Sequence, residues 1–151
     1  MGWFGRRSAR GWARGAAVGV AAALGVVGGV PSAQAAATIT RYSGNHCATA
    51  RFDYTYSPDG SGSYHIAFRG RLTWDTSRAT CGPFRDPYAG MLQWSGYYNL
   101  EYFGWEAAPS GSMYSSNPHT INWSGDGFRD VRFRVCNWNV RTGYVGTCGS
   151  W

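Results

Sequence analysis

The stretch "TINWSGDGFRDVRFRVCNW", Thr120 to Trp138, alternates apolar and polar side chains in its second part and carries two glycines near its centre. A period of two residues is the pattern of a half-buried β-strand. One face holds Val131, Phe133 and Val135, and the other face holds Arg132, Arg134 and Cys136. We interpret Thr120–Trp123 as a short strand, Ser124–Gly127 as a turn and Phe128–Trp138 as a long strand.

The same alternation extends through much of the remaining chain. It predicts a strand over Thr49–Tyr56, and over Tyr64–Trp74 either one strand or two strands with a kink at Gly70. Tyr97–Trp105 is a further β-rich run, bulky on both faces, and at most one helical turn is expected near Tyr88–Trp94. Many short strands with glycine-rich turns predict an all-β fold, an antiparallel sandwich or small barrel.

Residues 1–36 have the layout of a cleaved export signal. A basic leader (Arg6, Arg7, Arg10, Arg14) precedes the uncharged apolar run Ala16–Val30, and Ala33-Gln34-Ala35 fits the cleavage pattern of signal peptidase. The apolar run is shorter than the roughly twenty residues of a membrane span, so we expect no permanent span. The sequence therefore predicts a secreted protein with one domain, residues 37–151.

The net charge gives no support for nucleic-acid binding. The chain is formally +6, but four of its fourteen cationic residues lie in the predicted leader, which leaves ten arginines against eight carboxylates. Nucleic-acid binding needs a concentrated basic face, which a net charge near +2 does not indicate. The chain contains no lysine, and its richness in Ala, Gly and Arg suggests a GC-rich genome, such as that of an actinobacterium.

All four cysteines lie in the predicted mature part, and an even number in an exported chain indicates two disulfides. If Arg141-Thr142-Gly143 is a three-residue hairpin loop, Trp138 faces Gly146 and Cys136 faces Cys148, which is close to disulfide range. We therefore predict Cys136–Cys148, and Cys47–Cys81 by elimination. No CxxC motif is present, and we predict no metal and no cofactor.

The predicted mature part holds six Trp, ten Tyr and six Phe, more aromatic surface than a core of this size readily buries. Aromatic side chains dominate binding hot spots, so part of this set is expected on a recognition surface. The candidates lie at strand ends or on the polar faces of strands: Tyr97, Trp105, Trp123, Trp138 and Trp151.

Arginine is also enriched at protein interfaces, because its guanidinium offers five donors and stacks on rings. Arg69 and Arg71 lie on the polar face of one predicted strand, and Arg132 and Arg134 on that of another. If both strands belong to one sheet, the four guanidinium groups share a face. The run Ala37–Tyr42 is a further strand, which pairs either with the protein's own sheet or with a partner.

No serine-hydrolase elbow, zinc-protease motif or phosphate-binding loop occurs in the sequence. We therefore predict a non-catalytic secreted binding protein, whose partner is a secreted or cell-surface protein that it joins or inhibits. Binding of polysaccharide, as in a lectin-like module, is the first alternative, since sugars stack on exposed rings. A small secreted hydrolase is the second alternative.

The signal region and the C-terminal part resemble those of small secreted actinobacterial proteins, which end in a disulfide-closed hairpin and a terminal aromatic residue. Here the two cysteines of the segment Val135–Cys148 bracket the hairpin, and Trp151 is the aromatic residue. The pattern is also compatible with the small linking subunits of secreted antibacterial toxin particles. The resemblance implies secretion and a place in a secreted assembly, and it implies no catalytic residues.

Overall fold

The structure is a computed structural model that describes residues 35–151, which form strands and turns without a helix. The strands are β1 (Ala35–Tyr42), β2 (Ala48–Pro58), β3 (Tyr64–Trp74), β4 (Tyr88–Tyr98), β5 (Glu101–Ser112), β6 (His119–Asn139) and β7 (Val145–Gly146). All pairings are antiparallel, in the order β1-β2-β3-β6-β4-β5, and β7 pairs with β6. The predicted all-β antiparallel fold is confirmed.

Strand β6 is one continuous strand of 21 residues, so the prediction of a turn at Ser124–Gly127 is wrong. Its first part pairs with β3 up to Phe128, and its second part pairs with β4 from Phe128 onward. The glycines produce a bend: Gly127 has a φ of 85°, and the register with β3 shifts nearby. The residues that suggest a turn, Ser124–Gly127, instead form a β-bulge, which bends and twists a strand without reversing it.

The bend in β6 folds the sheet over, so that its two halves pack face to face. The ring of Phe133 in β6 lies 5.1 Å from that of Phe52 in β2 and 5.6 Å from that of Phe68 in β3, centroid to centroid. Further along the contact, a Cβ on Gly90 of β4 would lie 2.9 Å from the Cβ of Ala48 in β2. The hydrophobic core lies between these two halves.

The structure defines two further segments that the sequence describes only coarsely. Tyr97–Trp105 is not one strand, because Asn99 and Leu100 form the turn between β4 and β5 with φ angles of 48° and 70°. Residues Tyr88–Trp94, where at most one helical turn was expected, belong to β4. Of the two alternatives for Tyr64–Trp74, the structure shows one continuous strand.

Strand β1 pairs with β2 along its whole length, from Ala35 opposite Tyr56 to Tyr42 opposite Thr49. The run Ala37–Tyr42 therefore pairs with the protein's own sheet, which is the first of the two alternatives given for it. Residues 1–34, which include most of the predicted export signal, lie outside the described residues.

Both predicted disulfides are present, Cys47–Cys81 and Cys136–Cys148. The hairpin register behind the second prediction is wrong by one residue, because Trp138 pairs with Val145 and the loop has four residues, 140–143. Thr147, with a φ of 51°, takes up the extra residue, and the Cα atoms of the two cysteines are 3.9 Å apart. Gly143 has the positive φ (75°) expected of it.

We predict that Gly90→Ala lowers the free energy of unfolding by about 1–3 kcal/mol, because its Cβ overfills the contact between the two halves. The added atom would also lie 3.0 Å from Sδ of the buried Met113. Gly104→Ala in β5 is the matched control, since its Cβ meets nothing within 4 Å. Urea unfolding followed by tryptophan fluorescence measures both, and equal stability of the two variants would contradict this packing.

Candidate functional site

The two halves of the sheet separate at Phe128, which pairs with Tyr64 of β3 and with Tyr98 of β4. A cavity of about 230 Å³ opens at this point. We call it the junction pocket, and its main lining residues are Ile66, Phe68, Trp94, Tyr98, Trp123 and Phe128. The pocket therefore results from the change of neighbour along β6.

Aromatic rings form the floor and walls of the junction pocket. The ring of Phe128 lies 5.4 Å from that of Trp94 and 5.1 Å from that of Trp123, with interplanar angles of 72° and 87°. Both indoles thus stand nearly upright on the phenyl ring, and both are half-buried. Their remaining exposed surface offers an apolar side chain a large contact area with few rotatable bonds.

Polar groups are scarce in the pocket. Asp126 is the charged residue of its lining, and its carboxylate lies 2.7 Å from Nδ1 of His65 at the rim. The carboxylate side chain is 73% exposed. A pocket of this kind binds mainly through apolar contact, with a few polar groups that set orientation.

The β4–β5 turn presents a second apolar surface next to the pocket. We call residues 97–102 the aromatic hairpin, in which Tyr97, Tyr98, Leu100 and Tyr102 are exposed, Leu100 to 72%. The backbone N–H of Asn99 donates to the carbonyl of Gly127 at 3.0 Å, which fixes the turn against β6. A left-handed leucine is strained, and such strain is concentrated at functional sites.

The structure brings only part of the predicted aromatic set to this end of the domain. Trp123 forms a wall of the pocket, and Tyr97 belongs to the aromatic hairpin. Trp138 is 8% exposed and packs on Tyr114, so its predicted place on a recognition surface is wrong. Strand alternation does not reveal such burial, because a loop residue covers the indole.

Trp105 and Trp151 lie elsewhere, each beneath an arginine. The guanidinium of Arg134 lies 4.2 Å from the ring centroid of Trp105, and that of Arg132 lies 4.1 Å from that of Trp151. Nε of Arg134 also donates to Oε1 of the buried Gln93 at 3.0 Å, and burial lowers the pKa of Arg134. The two arginine–tryptophan pairs are therefore stabilising contacts within the molecule.

The expectation that four arginines share a face is wrong, although β3 and β6 are neighbours. Arg69 lies opposite Asn122 in the first part of β6, whereas Arg132 and Arg134 lie in its second part. The rings of Phe68 and Phe133 meet in the core from opposing halves, so the residues next to them point outward from opposite faces. The two arginine pairs are thus on different sides of the molecule.

Several residues of the site are not indicated by the strand alternation. Five residues at or beside the pocket lie in strands or a turn whose limits the alternation misplaced: Trp94, Tyr98, Leu100, Tyr102 and Phe128. The dense aromatic run of residues 97–103 carries a signal for this site, once a turn is placed in its middle.

Beside the junction pocket, burial raises the pKa of Tyr54 to about 12, and the neighbouring Tyr56 adds to the rise. Because this value lies above the ordinary 10.0, the native state holds the phenol proton more tightly than the unfolded chain does. The resulting stabilisation is complete below about pH 10 and is lost as the pH rises towards 12.

We therefore predict that Tyr54→Phe loses less stability than the wild type between about pH 9 and pH 12, because it has no phenol to ionise. Urea midpoints measured across this range test the prediction. Tyr144→Phe, at an exposed position in the C-terminal hairpin, should show the wild-type decline. An unchanged decline in Tyr54→Phe would count against a buried Tyr54 phenol.

Within residues 35–151, no group of three or more His, Cys, Asp or Glu side chains is arranged to hold a metal ion. No helix long and apolar enough to cross a membrane occurs in this part of the chain. No family model matches the sequence, and neither the curated proteins nor the solved structures contain a match. Function must therefore be inferred from the residues of the site themselves.

Proposed function

We propose that this is a secreted, non-catalytic protein that binds another extracellular protein, as an adaptor or an inhibitor. In this proposal the partner inserts an apolar side chain into the junction pocket and packs around it on the aromatic hairpin. The observation that carries the proposal is an open, aromatic-walled cavity beside a leucine that is 72% exposed. Protein interfaces are built in this way, with an anchored side chain surrounded by a rim.

The lining of the pocket favours a protein side chain over a sugar. A sugar needs hydrogen-bonding groups around the ring on which it stacks, and the walls are instead formed by Ile66, Phe68, Trp94 and Phe128. Asp126, already paired with His65, is the charged group at hand. Apolar contact with few polar groups is what an aliphatic or aromatic anchor residue requires.

The covalent structure fits an extracellular place of action. Two disulfides involve all the cysteines of the described residues, and such bonds persist in oxidising compartments. Cys47–Cys81 ties the loop after β3 to the start of β2, and Cys136–Cys148 ties the tail to β6. A stapled scaffold holds its binding residues in place before binding, which lowers the entropic cost of association.

We predict that Leu100→Asp weakens partner binding by about 2 kcal/mol or roughly thirtyfold, the scale of an interface hot spot. Leu100 is exposed, so the change should leave the fold intact. To identify the partner, a photo-crosslinking residue in place of Tyr102 is irradiated in the culture medium of the producing cells. The affinity of the captured protein is then measured for the wild type and for the variant.

Tyr144→Asp is the matched control, because Tyr144 is 68% exposed on the C-terminal hairpin, away from the pocket. It should bind the partner like the wild type, and a crosslinker in its place should capture nothing. Retention on insoluble chitin or cellulose that Leu100→Asp abolishes would instead support the lectin-like alternative. Equal binding by both variants would overturn the proposed site.

A further inference from the structure

The outer face of β1, β2, β3 and the first part of β6 carries rows of polar side chains, which we call the arginine field, and we propose that it binds an extended acidic polysaccharide. This site is independent of the protein-binding proposal, since none of its residues lines the junction pocket. It makes use of Arg69 and Arg71, for which the pocket provides no role.

The register of the strands arranges this face in rows. One row runs across all four strands and holds Thr40, Arg51, Arg71 and Thr120. The next row holds Thr38, Asp53, Arg69 and Asn122. Directly paired residues point to the same side of a sheet, so each row is a line of hydroxyl, amide and charged groups.

Three guanidinium groups surround one depression in this face. Arg51, Arg69 and Arg71 are exposed, and they line a hollow of about 290 Å³ together with Asp53 and Thr38. In residues 35–151 the arginines that form ion pairs are Arg78 and Arg141, so these three have no carboxylate within 4.0 Å. Their donors are available to an anion from outside.

The pairing of Arg51 with Arg71 costs stability in the isolated protein, because like charges directly opposite each other repel. Neighbouring strands are about 4.8 Å apart, and positions two residues along a strand are roughly 6.7 Å apart. The backbone positions that carry the three guanidiniums are thus about 5–7 Å apart, a spacing that suits oxyanions carried on successive units of a polymer. Bound carboxylates would accept charge-assisted hydrogen bonds and relieve the repulsion.

The other residues of the rows indicate that the polymer is a sugar. Thr38, Thr40, Thr120 and Asn122 add hydroxyl and amide groups, which can both donate to and accept from the hydroxyls of a sugar ring. The side chains of an acidic polypeptide carry no hydroxyls, so they would leave these hydroxyl and amide groups without matching partners. The rows run across the strands, so an extended chain lying in that direction would meet these groups in succession.

Asp53 lies within the field and opposes Arg69, while its carboxylate accepts a hydrogen bond from Oγ1 of Thr38 at 2.7 Å. It does not reach the guanidinium, so it acts as a repulsive group towards an acidic ligand. Its removal therefore provides a test that a loss of folding cannot imitate.

The probe is polygalacturonate, a polymer of uronic acid, and the readout is its affinity for the full mature protein at low ionic strength. We expect binding that fades as salt is raised, and about tenfold weaker binding by the double variant Arg51→Thr with Arg71→Thr. Asp53→Asn should bind more tightly than the wild type. Thermal unfolding should show the double variant to be at least as stable as the wild type, because the repulsion is gone.

The matched control is Arg78→Thr with Arg141→Thr, which removes two charges already paired with Asp75 and Asp86. It should retain wild-type affinity, and neutral dextran should not bind. An equal loss in the control pair, or no binding at all, would overturn the proposal. Equally tight binding of polyglutamate would also overturn it, because the face would then recognise acidic chains without regard to sugar hydroxyls.

Discussion

The structure depends on the unbroken course of β6, whose backbone serves one neighbour before Phe128 and another after it. The left-handed Gly127 and Asp130, on either side of this change, supply the twist that a straight ladder does not allow. Because of that twist, Phe133 faces Phe52 and Phe68 across the core. The junction pocket is the space left where β3 and β4 diverge along β6. The pocket and the core therefore both result from the bend in β6.

The alternation of side chains predicts burial correctly where a strand has one buried face and one solvent-exposed face. Phe52 and Phe68 are buried and Arg51 and Arg69 are exposed, as the pattern of two requires. It failed at the strand boundaries, because the same residues signal both turns and bulges. Ser-Gly-Asp-Gly bends β6 without reversing it, whereas Asn99-Leu100 reverses the chain without the usual glycine.

The candidate site was less predictable than the fold, because it is made by contacts between distant residues. The sequence places Arg134 on a polar face, but no local rule shows that Trp105, on another strand, lies beneath it. For the same reason the sequence places Trp138 on an exposed face, whereas in the structure Tyr114 packs against it. The Cys136–Cys148 pair could be predicted because its partners are close in sequence, and Thr147 compensates for the misjudged loop length.

The start of β1 and the 140–143 loop lie at opposite ends of the domain, which decides where a tag can be attached. Ala35 pairs with Tyr56, which pairs with Ile66 of the junction pocket, whereas the 140–143 loop follows the opposite end of β6, where Asn139 pairs with Tyr88. An affinity handle fused ahead of β1 would therefore begin two strands away from the pocket. A fluorophore or immobilisation point placed in the distal loop would leave both the pocket and the arginine field unobstructed.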